Sequence, residues 1–85
     1  MKLSPFEIRK RLLYKMARHH WWGGKHTAIE NLPKGFLKEL WKDVKSEIKE
    51  LVREGILVEK PTGYGLHVSL NVSKKQEIER ILFES

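Results

Sequence analysis

The chain has 85 residues, of which 40% are hydrophobic and 33% are charged, and this composition fits one small globular domain. No apolar run exceeds three residues, whereas a transmembrane helix needs about 20 and a secretory signal about 7–15. The absence of cysteine excludes disulfides, thiolate zinc sites and cysteine catalysis. We therefore expect a cytoplasmic protein.

The basic excess is concentrated near the start of the chain. Lysine and arginine together number 17 and the acids 11, which gives a net charge of +6. Seven bases and one acid precede Thr27, and the remainder holds ten of each. A localised positive field favours a polyanion or an anionic membrane as partner. The many Glu and Lys residues, beside one Asp and one Gln, are also typical of thermophile proteins.

The first helix is predicted over residues 5–19. The run Ser4-Pro5-Phe6-Glu7 has the pattern of an N-cap, an N1 proline and a capping-box glutamate. One side of this helix is apolar, and Arg11, Lys15 and Arg18 line the opposite side. Like charges at this spacing repel each other, so the stripe indicates either an anionic partner or pairing with the acids of the helix predicted over 36–54.

A loop over 20–26 and a short helix over 28–32 are predicted next. Thr27 and Glu30 have the spacing of a second capping box. Pro33-Lys34-Gly35 then predicts the turn into the following helix.

The longest helix is predicted over 36–54, because its apolar residues share an arc of roughly 120°. The bases of this helix fall within roughly 80° of one another, and so do its acids. This sorting favours a basic edge that lies along phosphates, or else a solvated helix whose acids pair with bases elsewhere, such as those of the first helix. The apolar set is Leu37, Leu40, Trp41, Val44, Ile48, Leu51 and Val52; the bases are Lys38, Lys42, Lys45, Lys49 and Arg53; the acids are Glu39, Asp43, Glu47, Glu50 and Glu54.

The sequence of the last third of the chain predicts a β-hairpin followed by a helix. Residues 56–60 are β-prone, residues 66–71 alternate apolar and polar, and a five-residue loop joins them. Ser73 and Gln76 have capping-box spacing before a helix over 74–83. The apolar side chains of this helix suit either closure of the core or a homodimer interface: Ile78, Ile81, Leu82 and Phe83.

The order of these elements resembles a winged helix-turn-helix domain. The resemblance is carried by Leu51-Val52-Arg53-Glu54-Gly55-Ile56-Leu57-Val58 and by Gly63-Tyr64-Gly65-Leu66-His67-Val68-Ser69-Leu70-Asn71, and it spans about residues 5–72. It implies an α+β fold: a three-helix bundle with a β-hairpin wing and, here, a short C-terminal helix. In that superfamily the third helix and the wing often meet nucleic acid, although many members bind RNA or protein. Residues 19–26 depart from the family pattern.

Aromatic and basic residues outside the long helix extend the candidate surface. Trp21 and Trp22 suit the core, or one of them suits stacking on a base beside Lys25. In the hairpin, Lys60 and Tyr64 suit contact with a groove, and the alternative is an ordinary hairpin loop.

Catalytic and metal chemistry find little support in the sequence. Gly23-Gly24-Lys25-His26-Thr27 lacks the spacing of a phosphate-binding loop and follows no predicted strand. The histidines form no i, i+4 pair, and no nucleophile is paired with a base and an orienting group. We therefore expect no enzyme, no cofactor and no metal.

The sequence predicts a nucleic-acid-binding domain. Double-stranded DNA, in a transcriptional or chromatin role, is the first expectation, and structured RNA, as for a ribosome-associated factor, is the second. A protein-interaction module is a third reading; no membrane and no small-molecule substrate are expected. The residues predicted to contact nucleic acid are Lys38, Lys42, Lys45, Lys49, Arg11, Lys15, Arg18, Lys25, Lys60, Tyr64 and Trp22.

Overall fold

The computed structural model describes residues 2–83. This part of the chain has three α-helices, a three-stranded antiparallel sheet and three 3-10 turns, so the predicted α+β class is confirmed. The ends of the predicted 1–85 domain lie outside the described residues. The helices and strands are α1 (Pro5–Arg18), β1 (Thr27–Ala28), α2 (Trp41–Arg53), β2 (Leu57–Thr62), β3 (Gly65–Leu70) and α3 (Lys75–Phe83); the 3-10 turns are Ile29–Asn31, Lys38–Leu40 and Val72–Lys74.

The first helix begins as its sequence predicts. The Ser4 hydroxyl accepts a hydrogen bond from the backbone N–H of Glu7, and the Glu7 carboxylate accepts one from the N–H of Ser4. Two otherwise unpaired backbone donors are thereby satisfied at the helix start.

The core lies between α1, α2, α3 and the inner face of the sheet. Burial of apolar side chains from all of these elements is the main stabilising contribution. The largest fully buried side chains are Ile8, Leu12, Leu13, Met16, Leu32, Val44, Leu51, Ile56, Leu57, Val68, Leu70 and Ile78.

The sheet has the order β1-β3-β2, and its hairpin is tighter than predicted. Thr62 pairs with Gly65, so the loop contains two residues and not five. The Thr62 hydroxyl accepts from the Tyr64 N–H and donates to the Gly65 carbonyl. Gly65 has φ +123°, a conformation that is unfavourable for residues with a side chain.

The third strand, β1, was not predicted. It is antiparallel to β3 and pairs Thr27 with Val68. The segment before β1 also joins β3, through a bridge between Trp22 and Leu70. The Leu70 N–H donates to the Trp21 carbonyl. Two paired residues are too few to produce a period-two pattern in the sequence. The short helix predicted over 28–32 is instead the single 3-10 turn Ile29–Asn31.

The long helix is shorter than the predicted 36–54. Gly35, with φ +99°, and a hydrogen bond from the Phe36 N–H to the Pro33 carbonyl bend the chain before it. A 3-10 turn then leads into α2 at Trp41. Leu37 was predicted to face the core and is 60% exposed.

The C-terminal helix mainly closes the core. Ile78 is fully buried, Ile81 and Leu82 are half-buried, and Phe83 is 82% exposed. Its predicted cap was wrong: Asn71, rather than Ser73, caps the preceding 3-10 turn. No helix among residues 2–83 is long and apolar enough to cross a membrane.

Candidate nucleic-acid interface

Four lysines form one side of α2 and of the turn before it. Lys42, Lys45 and Lys49 lie on α2, and Lys38 lies in the 3-10 turn Lys38–Leu40. All four are exposed. Within residues 2–83, none of their ammonium groups forms an ion pair. We call these four residues the lysine edge.

Two acids of α2, and the Glu54 that follows its last residue, are neutralised by arginines. The Arg9 guanidinium of α1 lies 2.6 Å from a Glu47 carboxylate oxygen and 2.6 Å from a Glu54 oxygen. Its Nε donates to Glu47 over 2.7 Å, and its two terminal nitrogens bind both oxygens of Glu54. Such forked, charge-assisted bonds are the strong form of this interaction.

These contacts change how tightly the groups hold their protons. The hydrogen bond from Arg9 lowers the pKa of Glu54, against the opposing effect of burial. The same bond raises the pKa of Arg9 above its usual range. On the exposed side of α2, Arg53 binds Glu50 over 2.8 Å and lowers its pKa. Three of the five acids predicted on the helix are therefore paired with arginine.

The three predicted bases of α1 have different surroundings. Arg11 and Arg18 are exposed, and Arg11 lines a shallow groove with Gly35, Phe36 and Leu37, just before the lysine edge. The Lys15 ammonium instead donates to two carbonyl oxygens that belong to the turn between β1 and α2.

Lys15 has a structural role. Its Nζ lies 2.8 Å from the Asn31 oxygen and 2.7 Å from the Lys34 oxygen. Burial, and then the charge of Lys34, lower the pKa of Lys15. Lys15 therefore ties α1 to the turn and leaves little of its donor capacity for a ligand.

The hairpin presents a fully exposed ring. Tyr64 occupies the two-residue loop and is 98% exposed. Lys60 is exposed and pairs with His67 across β2 and β3. The hydroxyl of Thr62 fixes the loop on both sides of Tyr64. The ring therefore stands on a hydrogen-bonded turn and is exposed rather than packed in the core.

The tryptophan segment is held against the core. Trp21 and Trp22 are both half-buried and pack on core residues. The ring of Trp21 also stacks on His19, with 4.6 Å between ring centroids. Lys25 is exposed, and its N–H donates to the Trp22 carbonyl.

Two histidines meet in a contact that the sequence did not reveal. The Nδ1 atoms of His26 and His67 lie 2.9 Å apart, and their rings meet edge to face. One Nδ1 must donate and the other accept, so the two rings have opposite tautomers when both are neutral. Burial, followed by the charge of Lys60, lowers the pKa of His26. Within residues 2–83, no three His, Asp or Glu side chains cluster in a way that would hold a metal ion.

Comparison with known proteins adds no relative to this description. No protein-family model, no curated protein and no solved structure matches the chain. The function is therefore inferred from the residues of this chain alone.

Proposed function

We propose that the chain is a small, non-enzymatic winged-helix domain that binds nucleic acid, with double-stranded DNA as the first expected ligand, in a transcriptional or chromatin role. The order of elements supports the winged-helix assignment: α1, the turn before α2, α2 itself and then the β2–β3 hairpin. The departure from the family pattern is the second helix, which is reduced to the 3-10 turn Ile29–Asn31.

One observation carries the proposed ligand. The lysine edge is exposed and has no ion pair among the described residues, while Glu47 and Glu50 of α2, and Glu54 just after it, are held by arginines. The alternative from the sequence was a solvated helix whose acids pair with bases elsewhere, such as those of the first helix. Three of the acids do pair, with Arg9 of α1 and with Arg53 of α2 itself, and the lysines of the edge take part in none of these pairs. Each lysine that neutralises a phosphate releases counterions and makes binding salt-dependent.

Further basic groups extend the proposed interface. Arg11 lies beside the segment that leads to Lys38, and Lys60 lies on β2 of the hairpin whose loop carries the exposed Tyr64. Lysines position a protein on phosphates more often than they read bases. We therefore propose binding with modest sequence preference.

Structured RNA is the second candidate, and the hairpin loop is the observation that favours it. A 98% exposed tyrosine on a hydrogen-bonded turn suits stacking on an unpaired base. The two candidates differ in their preferred ligand and are compared directly by titrating duplex DNA, duplex RNA and single strands under one set of salt conditions.

The decisive experiment compares two reversals of charge. Lys42→Glu changes a residue of the lysine edge, and Lys75→Glu makes the same change in net charge on the exposed surface of α3. We expect Lys42→Glu to weaken binding about tenfold and to reduce the slope of log K against log salt by about 1, because one phosphate contact is lost. Lys75→Glu should change both quantities little. Equal effects of the two variants, or an absence of salt dependence, would refute the proposal and favour a protein-interaction module.

A further inference from the structure

An apolar slot lies directly beside two residues of the lysine edge. It has a volume of about 220 Å³ and is lined by Ile29, Glu30, Pro33, Lys45, Ile48 and Lys49. Ile48 and Pro33 are buried and Ile29 is half-buried, so their apolar surfaces form the floor and walls. We call this cavity the slot. It separates the 3-10 turn Ile29–Asn31 from α2.

Two lysines and one glutamate place charges at the rim of the slot. Lys45 and Lys49 are one helical turn apart, about 6 Å along the axis. Neither forms an ion pair within the described part of the chain, and the exposed carboxylate of Glu30 forms none either. The rim therefore offers two cations and one hydrogen-bond acceptor around an apolar floor.

We propose that the slot receives one unpaired cytosine base of a bound nucleic acid, with the neighbouring backbone phosphates on Lys45 and Lys49. This inference rests on the proposed function, because it needs a strand held along the lysine edge. An extruded base is flat, largely apolar on its faces and tethered to two phosphates. The slot has the complementary arrangement, with apolar walls and adjacent ammonium groups.

Glu30 sets a preference for cytosine over thymine and uracil. A carboxylate only accepts hydrogen bonds, and the exocyclic amine of cytosine is a donor that acidic side chains recognise. Thymine and uracil present a carbonyl oxygen at the same position, and this acceptor cannot bond to the carboxylate of Glu30. Fully paired bases stay within the stack and do not enter a concave slot, so a paired duplex binds through its phosphates alone.

The test uses four DNA duplexes that differ at one position. One is fully paired, and the others carry a single-nucleotide bulge of cytosine, thymine or an abasic site. Binding is measured by fluorescence anisotropy. We expect the cytosine bulge to bind about tenfold more tightly than the abasic bulge, which reproduces the flexibility but lacks the base. The thymine bulge should bind like the abasic one.

Two variants separate the slot from the lysine edge. Glu30→Gln exchanges an exposed acceptor for an amide that both donates and accepts, and should bring the cytosine-to-thymine ratio close to 1. It should leave binding of the paired duplex largely unchanged. Lys42→Glu should weaken all four duplexes by the same factor. Equal affinity for the cytosine and abasic bulges would overturn the slot proposal, and if the paired duplex still bound with salt dependence, the proposed function would stand.

Methyl NMR spectra identify the occupant directly. The resonances of Ile29 and Ile48 should shift on addition of the cytosine-bulged duplex and stay in place with the paired one. Shifts caused by a peptide of alternating glutamate and leucine, but by no oligonucleotide, would assign the slot to a protein partner and overturn the proposal. Failure of every oligonucleotide to bind would overturn both this inference and the proposed function.

Discussion

Replacement of Arg9 by methionine tests the link between α1 and the acids of α2. Arg9 and Glu47 form a pair in which the side chains are 18% and 10% exposed, respectively. Methionine keeps most of the side-chain volume and removes the charge, so Glu47 is left largely buried without a cation. Loss of one partner from a buried pair costs about 3–5 kcal/mol, and we expect the lower end, about 3 kcal/mol, because the pair retains some solvent contact.

This cost translates into a large thermal effect. For a domain of this size, 1 kcal/mol corresponds to about 4–8 °C in Tm, so Arg9→Met should lower Tm by about 15 °C. Circular dichroism melts and urea titrations measure the change. The matched control is Arg53→Met, because Arg53 forms an exposed pair with Glu50 within one helix and should alter Tm little.

A double variant separates lost pairing from lost packing. Glu47→Gln in the Arg9→Met background removes the uncompensated charge and should recover a large part of the stability. Equal melting temperatures for Arg9→Met and Arg53→Met would refute the reasoning. Failure of Glu47→Gln to restore stability would show that the cost comes from packing of the Arg9 side chain and not from the buried carboxylate.

Three further predictions concern stability and binding. Lys15→Met removes two charge-assisted hydrogen bonds to carbonyls and should destabilise the fold by about 1–2 kcal/mol, whereas Arg11→Met should leave the urea midpoint unchanged; similar midpoints would contradict the structural role of Lys15. Burial lowers the pKa of His26 on folding. The unfolded chain therefore binds more protons than the folded one, and the free energy of unfolding should fall as pH drops below about 6.5. An NMR titration should place the midpoint of His26 below that value, and a rise of stability on acidification would contradict the prediction. Tyr64→Ala should leave Tm within about 1 °C and lower nucleic-acid affinity in the anisotropy assay; a marked fall in Tm would mean that the ring supports the hairpin.

Elements that depend on local signals were predicted well. The start of α1 follows from four consecutive residues, Ser4 to Glu7, whose side chains and backbone satisfy each other. The apolar side of α1 follows from helical periodicity, and Ile8, Leu12, Leu13 and Met16 are buried as that periodicity requires. Neither signal needs information from a distant part of the chain.

Elements that depend on distant partners were missed. Asn71 caps the turn before α3 because its side-chain nitrogen also donates to the Gly55 carbonyl, a contact across 16 residues. The Ser73 pattern predicted the cap two residues too late, since it takes no account of that contact. Likewise, β1 exists because Thr27 and Ala28 meet β3, and two residues carry no pattern of their own.

The charged groups also divide into those whose surroundings follow from the local sequence and those whose surroundings depend on distant residues. Exposure of Lys42, Lys45 and Lys49 follows from the helical period and was predictable. The partners of Arg9 and Lys15 were not, because a flexible cationic side chain selects among acceptors brought close only by folding. Arg9 lies 38 residues from Glu47 in the sequence. Lys15 lies 16 residues from Asn31.

The outer position of β2 limits how copies of this chain can associate. β2 ends the order β1-β3-β2, so one side of its backbone has no neighbouring strand among residues 2–83. Such an edge invites another strand to add to it and seed aggregation. Here the edge contains Pro61, which has no N–H to offer, preceded by the charged Glu59 and Lys60. Sheet extension from one molecule to the next is therefore discouraged, which keeps the adjacent hairpin loop accessible to other ligands.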